Sequence, residues 1–425
     1  MLGLSQPEPP TRKEYLEMGE TTTTTKSLTE QFIELDFKYG AKNYSPLPVV
    51  LERGEGVFVW DVEGKRYFDM LSAYSAVNQG HCNPRILAAA RTQMEKLCLT
   101  SRAFHNNLMG RFLKQIAELS GYEKVLPMNS GAEAVETAIK LMRKWGYEEK
   151  GIPNDKAEII VCEENFHGRT TTIVGFSTDP DSYEGFGPAT PGFKIVPYAD
   201  PQALEDAITS NTCGFLVEPM QGEAGVRVPG QGYLKKAQEI CSANNVLFCV
   251  DEIQTGLGRT GKLFCFHHEG VRPDLVIMGK ALSGGLYPIS AVACDDRIMR
   301  VLQPGTHGST YGGNPLASAI GMAALDVIVD ERLPERAAEL GEYFMSKLRS
   351  LSHPDLHQVR GRGLLVAVEF VRPCAKQFCK ELMKEGILAK DTHEVTVRFA
   401  PPLVISKEQI DEAVVGITAA LGRLT

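Results

Sequence analysis

Three short segments of the chain carry residues whose types and spacing suit chemistry on a bound small molecule. In the first, MNSGAEA at residues 128–134, an apolar run gives way to a helical one. The free backbone N–H groups at a helix start attract anions, and Gly131 would let a phosphate approach closely. A capped helix that binds nothing explains the same residues. This segment therefore indicates a phosphate cradle only if other residues also require one.

The other two segments are apolar runs that end in charged residues. VLFCVDE at 246–252 ends in Asp251 and Glu252, whose carboxylates could bind a metal, hold a ribose, pair with a protonated ring nitrogen or cap a turn. DLVIMG at 274–279 leads directly to Lys280. A lysine is usually a solvated surface charge. One that follows a buried strand and is flanked by glycines suits an amine whose pKa is lowered for attack on a carbonyl.

One cofactor, pyridoxal 5'-phosphate, requires all three signals at once. Its phosphate must be held, its pyridine nitrogen kept protonated, and its aldehyde bound to a lysine. The three segments coincide by chance far less often than any one of them occurs alone. We therefore predict a pyridoxal-phosphate enzyme, with Lys280 and Asp251 as its catalytic residues.

The apolar pattern between residues 80 and 325 predicts the elements that position these side chains. Short apolar runs such as KVLPM, AEIIV and CGFLVE alternate with helical stretches at 132–145 and 234–243. Runs too short for helices suit strands that are buried on both faces. We predict an α/β fold with a mostly parallel central sheet. Ligands in such sheets bind beyond the carboxyl ends of the strands, where Asp251 and Lys280 fall.

Changes in the pattern divide the chain into regions. We predict a smaller α+β domain formed by the N- and C-terminal segments around the large cofactor-binding α/β domain. The regions are a flexible leader at 1–31, the N-terminal part of the small domain at 32–80, the large domain at 81–325 and the C-terminal part of the small domain at 326–425. A β-hairpin is expected within 57–70. The C-terminal part should contain helices at 333–351 and 407–421 and strands at 364–370 and 395–399.

Composition and charge argue against several classes of partner. The net charge of −8 and the pI near 5.7 disfavour broad attraction to nucleic acid or to an anionic membrane surface. The chain has no run of about 18 apolar residues, which predicts no membrane span. Its ten cysteines form no C-x-x-C pair. The histidines without metal-ligand spacing, which we leave unassigned, are His81, His105, His167, His267 and His268. We expect small-molecule partners and no bound metal.

The first thirty residues bear on the compartment. They contain Glu8, Glu14, Glu17 and Glu20 and a threonine run at 21–25. An organelle presequence is rich in arginine and poor in acidic residues, and a signal peptide has an apolar core. We therefore predict a cytoplasmic location, with the mitochondrial matrix disfavoured.

Several longer motifs resemble those of a known family. They are NSGAEAVETAIK, NFHGRT, VEPMQGEAGV, VDEIQTGLGRTG and DLVIMGKALSGG. Together they are similar to the class-III aminotransferases, which are fold-type-I pyridoxal-phosphate enzymes that work as homodimers. The resemblance spans residues 35–423. Within the family, residues 40–84 and 395–405 most resemble members that convert ornithine and 2-oxoglutarate to glutamate 5-semialdehyde, which cyclises to pyrroline-5-carboxylate, and glutamate.

The resemblance implies a set of cofactor-binding residues. Asp251 would pair with the ring nitrogen, Gln254 would hydrogen-bond the phenolic oxygen, and two side chains would flank the ring. Two further residues would reach the phosphate of the neighbouring subunit's cofactor, so that the active site would exist only in the homodimer. The full set is Ser130, Gly131 and Ala132 at the phosphate, Phe166 and Ile253 on the ring faces, Asp251, Gln254 and Lys280, and Ser309 and Thr310 from the neighbouring subunit.

The same resemblance implies five substrate-binding residues, Tyr44, Tyr74, Arg169, Glu223 and Arg398. Arg169 would grip the carboxylate of ornithine, and the Tyr44 hydroxyl would accept from its α-amine. Glu223 would neutralise Arg398 in that half-reaction and release it for the second carboxylate of 2-oxoglutarate. Without the motifs, surface ion pairs, core aromatics and a loop charge would be the better explanation of these residues.

Two other functions stay open. Another class-III enzyme acting on acetylornithine or 4-aminobutyrate would share the cofactor residues, although Tyr44 and Tyr74 favour ornithine. A catalytically idle homologue that serves as a binding protein would share the fold. The presence of both Lys280 and Asp251 argues against the idle homologue.

Overall fold

The computed structural model describes residues 26–424, which divide into two compact units. The first contains residues 26–52 and 61–65, and the second contains residues 53–60 and 66–424. Most of the predicted leader lies outside the described residues. Its last residues are helical from Leu28, because Ser27 and Glu30 form a capping box. The boundaries of the large and small domains stay a prediction.

Helices occur in both units. The first unit contains α1 (Leu28–Tyr39), which has no buried residue. The helices of the second unit are α2 (Pro84–Met94), α3 (Met109–Ser120), α4 (Gly131–Glu148), α5 (Thr171–Val174), α6 (Pro180–Tyr183), α7 (Pro201–Ala207), α8 (Tyr233–Ala243), α9 (Asp296–Met299), α10 (Pro315–Asp330), α11 (Leu333–Arg349), α12 (Ala375–Lys384) and α13 (Lys407–Leu421). The four helices predicted from the sequence are confirmed as α4, α8, α11 and α13. Among the described residues, no helix is long and apolar enough to cross a membrane. The cytoplasmic location stays a prediction.

The strands form three sheets. They are β1 (Leu51–Glu55), β2 (Phe58–Asp61), β3 (Arg66–Asp69), β4 (Lys124–Met128), β5 (Glu158–Cys162), β6 (Phe193–Val196), β7 (Thr212–Val217), β8 (Leu247–Asp251), β9 (Leu275–Met278), β10 (Ser290–Cys294), β11 (Leu356–Arg362), β12 (Leu365–Phe370), β13 (Ile387–Leu388), β14 (Lys390–Thr392) and β15 (Thr396–Phe399). The predicted hairpin is confirmed, because β2 and β3 pair antiparallel with Phe58 opposite Phe68.

The central sheet has seven strands in the order β4-β10-β9-β8-β7-β5-β6. Strands β5 to β9 pair in parallel, as the short apolar runs predicted. Only β10 runs antiparallel, to both β4 and β9. Its sequence, SAVAC, is rich in small residues with weak strand preference, which is why the apolar pattern did not reveal it.

Both faces of the central sheet are buried. Along β8, Phe248 and Val250 belong to one apolar cluster, whereas Leu247 and Cys249 belong to another. The second cluster contains Ala134, Ala138 and other buried residues of α4. Because successive side chains of a strand point to opposite faces, each β8 residue before Asp251 is in the core. The sheet therefore forms a rigid base for the residues at its carboxyl edge.

Two smaller sheets join distant parts of the chain. The first has the order β1-β2-β3-β13, and β13 pairs in parallel with β3. A C-terminal strand thus completes a sheet that starts near the N-terminus. The second has the order β11-β12-β15-β14, and its strand β15 carries Arg398.

Candidate active site

The carboxyl ends of the parallel strands surround a cavity of about 210 Å³. Strand β8 ends at Asp251, and β9 is followed by Gly279 and Lys280. The cavity is lined by Gly131, Ala132, Phe166, His167, Gly168, Glu218, Glu223, Asp251, Ile253, Gln254, Thr255 and Lys280. The two residues predicted to be catalytic therefore face the same space.

The start of α4 forms one wall of this cavity. Ser130 caps the helix: its hydroxyl accepts from Glu133 N at 3.2 Å, and the Glu133 carboxylate accepts from Ser130 N at 2.7 Å. The backbone N–H groups of Gly131 and Ala132 lie between these two, where the helix dipole favours an anion. A Cβ atom on Gly131 would lie 3.0 Å from the end of the Ile253 side chain. A glycine at position 131 therefore lets Ile253 pack close to the start of α4.

Asp251 is buried and accepts hydrogen bonds on both carboxylate oxygens. Oδ1 accepts from Ile253 N at 2.9 Å, and Oδ2 lies 2.7 Å from Nδ1 of His167. Burial alone would lower the pKa of His167, but the hydrogen bond to Asp251 and the carboxylate charge leave it raised. Asp251 also lines the cavity, where its carboxylate could accept a hydrogen bond from a protonated ring nitrogen.

Glu218 holds the loop that contains Phe166 through a hydrogen bond. It is buried, and its Oε2 accepts from Phe166 N at 3.0 Å. Burial raises the pKa of Glu218 to about 7, while the nearby His167 acts in the opposite direction. The backbone of Phe166 is therefore held by a side chain outside its own loop.

Lys280 begins a tight turn in an unusual backbone conformation. Its φ is +43°, in the left-handed region, and the 3₁₀ turn that it starts ends at Ser283. Burial lowers the pKa of Lys280, and the charges of Glu223 and Asp251 act against this. A lowered pKa increases the fraction of neutral amine, which is the nucleophilic form.

Arg398 and Glu223 form an ion pair next to the cavity. The Arg398 side chain is 1% exposed, and its Nη1 donates to Glu223 Oε1 at 2.8 Å and to Gly222 O at 3.2 Å. Burial would raise the pKa of Glu223, yet Arg398 holds it below the usual value. Gln254 Nε2 also donates to Glu223 Oε1, at 2.9 Å. The pair that the family resemblance implied is therefore present, and it extends to the predicted cofactor residue Gln254.

The structure brings two further predicted residues to this region. The guanidinium of Arg398 lies 5.2 Å from the ring centroid of Tyr74. The exposed Arg169 lies with its guanidinium 5.7 Å from the ring centroid of Phe166. Arg169 and Tyr74 are therefore each in contact with a residue of the site.

Three other predicted residues do not line the cavity. Tyr44 belongs to the first unit and is 67% exposed. Ser309 Oγ accepts from the side chain of Asn129 at 3.0 Å within one chain, and Thr310 is exposed. The roles of Tyr44, Ser309 and Thr310 toward substrate and a neighbouring cofactor stay predictions.

Sequence reasoning missed several residues in and around the site, among them His167, Glu218 and Gly222. His167 was left unassigned, although it follows Phe166 directly within the NFHGRT motif. Glu218 was not singled out, although it follows the apolar strand β7 as Asp251 ends β8. Gly222 was also overlooked: a Cβ atom there would lie 1.4 Å from Gln254 Oε1, so only glycine lets Gln254 reach Glu223 in this arrangement.

Comparison with known proteins gives the family. Residues 39–421 match the family described as aminotransferase class-III. The chain belongs to this family, and the predicted fold-type-I α/β architecture is confirmed.

Individual relatives are similar over almost the whole chain. An ornithine aminotransferase from a Geobacillus species is 56% identical over 388 residues, which cover 91% of this chain and 97% of the relative. The solved ornithine aminotransferase of Toxoplasma gondii, which has pyridoxal phosphate at partial occupancy in its active site, is 47% identical with a TM-score of 0.93 and covers 98% of both chains. The solved acetylornithine aminotransferase of Elizabethkingia anophelis is 56% identical with a TM-score of 0.87, covering 93% of this chain and 99% of that one.

Proposed function

We propose that the protein is a pyridoxal-phosphate-dependent aminotransferase that moves the terminal amino group of ornithine to 2-oxoglutarate. The observation that carries this proposal is the ion pair between the buried Arg398 and the half-buried Glu223 beside the Lys280 cavity. Such an enzyme alternates between a substrate with one carboxylate and a substrate with two. It therefore needs a cation that is neutralised while the first substrate is bound and available to the second. The activity of the Geobacillus and Toxoplasma relatives supports the same proposal.

The residues of the cavity fit pyridoxal 5'-phosphate. The α4 start with Gly131 and Ala132 would hold the phosphate, Asp251 the ring nitrogen, and Lys280 the aldehyde. When bound, the cofactor supplies a carbonyl that takes up the amino group and a protonated ring that stabilises negative charge on the reacting carbon.

The side chains around the cavity have separate roles in the proposed reaction. Lys280, whose pKa is lowered by burial, removes a proton from the substrate carbon next to the amine and returns it later. Asp251, whose carboxylate is oriented by the hydrogen bond with His167, would hold the proton on the ring nitrogen. Phe166 and Ile253 would keep the ring between them. The two substrates react in turn at one site, so the kinetics should be ping-pong.

Substrate recognition follows from charge. Arg169 would bind the carboxylate of ornithine through two parallel hydrogen bonds, and Tyr44 would accept from its α-amine. While ornithine is bound, Glu223 keeps Arg398 neutralised, so that no second carboxylate site is open. 2-Oxoglutarate would then displace Glu223, taking Arg398 with one carboxylate and Arg169 with the other.

The proposed function is tested by a screen of amino donors with 2-oxoglutarate as acceptor. Ornithine should give the highest kcat/KM, and its product should be the semialdehyde or its cyclised form. Acetylornithine and 4-aminobutyrate serve as matched donors that also react at a terminal amine. If either of these donors gave a higher kcat/KM than ornithine, that donor would be the proposed substrate instead.

Acetylornithine is the second candidate substrate, because the Elizabethkingia relative named for it is as similar as the Geobacillus one. Acetylation removes the positive charge of the α-amine and adds bulk. The amide that results keeps one N–H that can donate to the Tyr44 hydroxyl, but this hydrogen bond lacks the strength that the ammonium charge provides. If ornithine is the natural donor, Tyr44→Phe should therefore weaken the binding of ornithine more than the binding of acetylornithine.

Separate effects on the two half-reactions are expected from the two members of the ion pair. Glu223→Ala should improve the half-reaction with glutamate relative to that with ornithine by at least about tenfold, because Arg398 is then open to an α-carboxylate. Arg398→Ala should mainly slow the half-reaction with 2-oxoglutarate, by a similar factor. Single-turnover stopped-flow measurements separate the half-reactions, since steady-state constants mix them.

Glu223→Gln is the control for loss of side-chain volume. This variant keeps an oxygen that can accept from Gln254 and Arg398 but removes the negative charge. Its rate in the glutamate half-reaction, relative to the ornithine half-reaction, should therefore lie between those of the wild type and Glu223→Ala. If Glu223→Ala and Arg398→Ala slow both half-reactions equally, the pair has only a structural role and the switch is wrong.

We further propose a homodimer with shared active sites, in which Thr310 of each subunit serves the other subunit's phosphate. Lys280→Ala and Thr310→Glu homodimers should each be inactive, the second because a carboxylate would repel the phosphate. Random mixing of the two should restore about a quarter of wild-type activity, because half of the dimers are mixed and each mixed dimer has one intact site. Activity is measured after unfolding and refolding the subunits together.

The control is Lys280→Ala mixed with the Lys280→Ala/Thr310→Glu double variant. No mixed dimer then contains an intact site, so no activity should return. Failure of the first mixture to recover activity, with mixed dimers present by mass spectrometry, would contradict shared sites.

A further inference from the structure

Tyr74 lies in a left-handed helical turn. The φ angles of Ser72, Ala73, Tyr74 and Ser75 are +51°, +46°, +61° and +72°. The turn is hydrogen-bonded as a helix would be: Ala76 N donates to Ser72 O at 2.8 Å, and Ser75 N donates to Leu71 O at 3.4 Å. Non-glycine residues disfavour this hand because Cβ approaches the following carbonyl oxygen. Four such residues in a row need support from elsewhere in the fold.

The support comes from Asp69 rather than from the turn itself. The hydroxyls of Ser72 and Ser75 are buried and have no hydrogen-bond partner among the described residues. Asp69, the last residue of β3, is 8% exposed, and its Oδ1 accepts from Leu71 N at 2.9 Å and from Ser72 N at 2.8 Å. Its Oδ2 lies 2.7 Å from His81 Nε2, which fixes the orientation of the carboxylate.

The turn connects this carboxylate to the substrate pair. Its residue Tyr74 places its ring 5.2 Å from the guanidinium carbon of Arg398. The adjoining backbone is also joined to the end of β15, since Ala400 N donates to Met70 O at 2.7 Å. The ring of Tyr74 therefore covers Arg398, whose charge it also stabilises through a cation–π contact.

We propose that Asp69 is a positioning residue that sets the left-handed turn and thereby holds Tyr74 against Arg398. This inference rests on the proposed function, because it concerns the arginine that would receive the second carboxylate of 2-oxoglutarate. Asp69 contacts neither substrate nor cofactor in this proposal and acts only through the turn.

The first test is a double-mutant cycle. Asp69→Ala should raise the dissociation constant of 2-oxoglutarate in its half-reaction about tenfold, which corresponds to about 1.4 kcal/mol. Tyr74→Ala should have an effect at least as large. The double variant should bind 2-oxoglutarate no more weakly than Tyr74→Ala alone, because Asp69 acts through Tyr74. Additive losses in the double variant would overturn the proposal.

Two control variants separate positioning from stability. Asp61 is a buried aspartate whose Oδ1 accepts from Glu63 N at 3.0 Å and from Lys65 N at 2.8 Å, in a turn without any proposed substrate residue. Asp61→Ala and Asp69→Ala should both lower the midpoint of thermal unfolding, but only the second should change 2-oxoglutarate binding. Asp69→Asn keeps the Oδ1 acceptor and should bind 2-oxoglutarate nearly as wild type does. If Asp69→Asn bound 2-oxoglutarate as weakly as Asp69→Ala does, the proposal would be contradicted.

A second test needs no turnover at all. Ala73 in the turn and Ala88 in α2 are both exposed, but only Ala73 has a positive φ. Ala73→Gly should raise the midpoint of thermal unfolding by about 1–2 °C, because glycine adopts this conformation without strain. Ala88→Gly should lower the midpoint by a similar amount, as in an ordinary helix. If the midpoint of thermal unfolding fell in both variants, the left-handed conformation of the turn would be contradicted.

The proposed function can fail without this proposal failing. If wild type does not accept ornithine, the proposed function is wrong, and the cycle is measured with the oxo acid that the enzyme does accept. Coupling between Asp69 and Tyr74 then still supports the positioning role, and its absence overturns it.

Discussion

Lys280→Ala is expected to abolish turnover, a fall of at least roughly 10⁴-fold, while the protein still folds. The variant removes both the amine that would bind the cofactor aldehyde and the group that would move the proton. Cofactor should still be retained without a covalent bond, because the α4 start and Asp251 remain in the same cavity. Turnover of ornithine, circular dichroism and the cofactor content of the purified variant are the measurements.

A matched lysine tests whether the loss is specific. Lys150 is also partly buried with its pKa lowered by burial, but it donates to Thr212 O and Asn244 O, which belong to the scaffold. Lys150→Ala should lower stability and leave kcat unchanged. Borohydride reduction followed by peptide mapping should label Lys280 in the wild type. A label on any other lysine would refute the assignment.

Asp251→Asn should lower the rate by several orders of magnitude, because an amide cannot stabilise a proton on the ring nitrogen as a carboxylate does. The side chain keeps its size, so the cavity should keep its shape. The variant should also lower the pKa of His167, since burial then acts without the negative charge of Asp251. Single-turnover rates and an NMR titration of the His167 ring check the two effects.

Asp274→Asn is the control for a carboxylate in the same sheet. Asp274 accepts from Phe248 N at 2.9 Å, next to the start of β9 and away from the cavity. This variant should lose stability without losing rate. Near wild-type turnover in Asp251→Asn, combined with an unchanged His167 pKa, would show that Asp251 has another role.

The sequence predicted those features of the fold and the site that depend on neighbouring residues in the chain. Apolar runs too short for helices predicted β4, β5, β7, β8 and β9, because a strand buried on both faces must be apolar at every position. Strand direction then placed the residues after each run at one edge, so Asp251 and Lys280 were expected to share a site and do share a cavity. Strand β10 escaped prediction because small residues carry little strand preference.

The extent of the site could not be predicted from the pattern alone. The motifs pointed to Glu223 and Arg398, but residue types and spacing do not reveal that Arg398 is almost fully buried. The two side chains are 175 positions apart, and β15 reaches this place only because the C-terminal sheet packs there. His167 was missed for the same reason: a histidine without ligand spacing becomes meaningful only when Asp251, 84 positions away, lies beside it.

The sequence by itself determined the α/β architecture, the order of the site segments and the two catalytic candidates, since these follow from local apolarity and strand direction. Only the tertiary structure decided the backbone at Lys280 and at Ser72–Ser75, where φ is positive without glycine. Local sterics disfavour that conformation. At Ser72–Ser75, the hydrogen bonds that Asp69 accepts from Leu71 N and Ser72 N, together with the contact between Tyr74 and Arg398, offset its cost. Arg398 becomes a neighbour of Tyr74 only after the chain has folded.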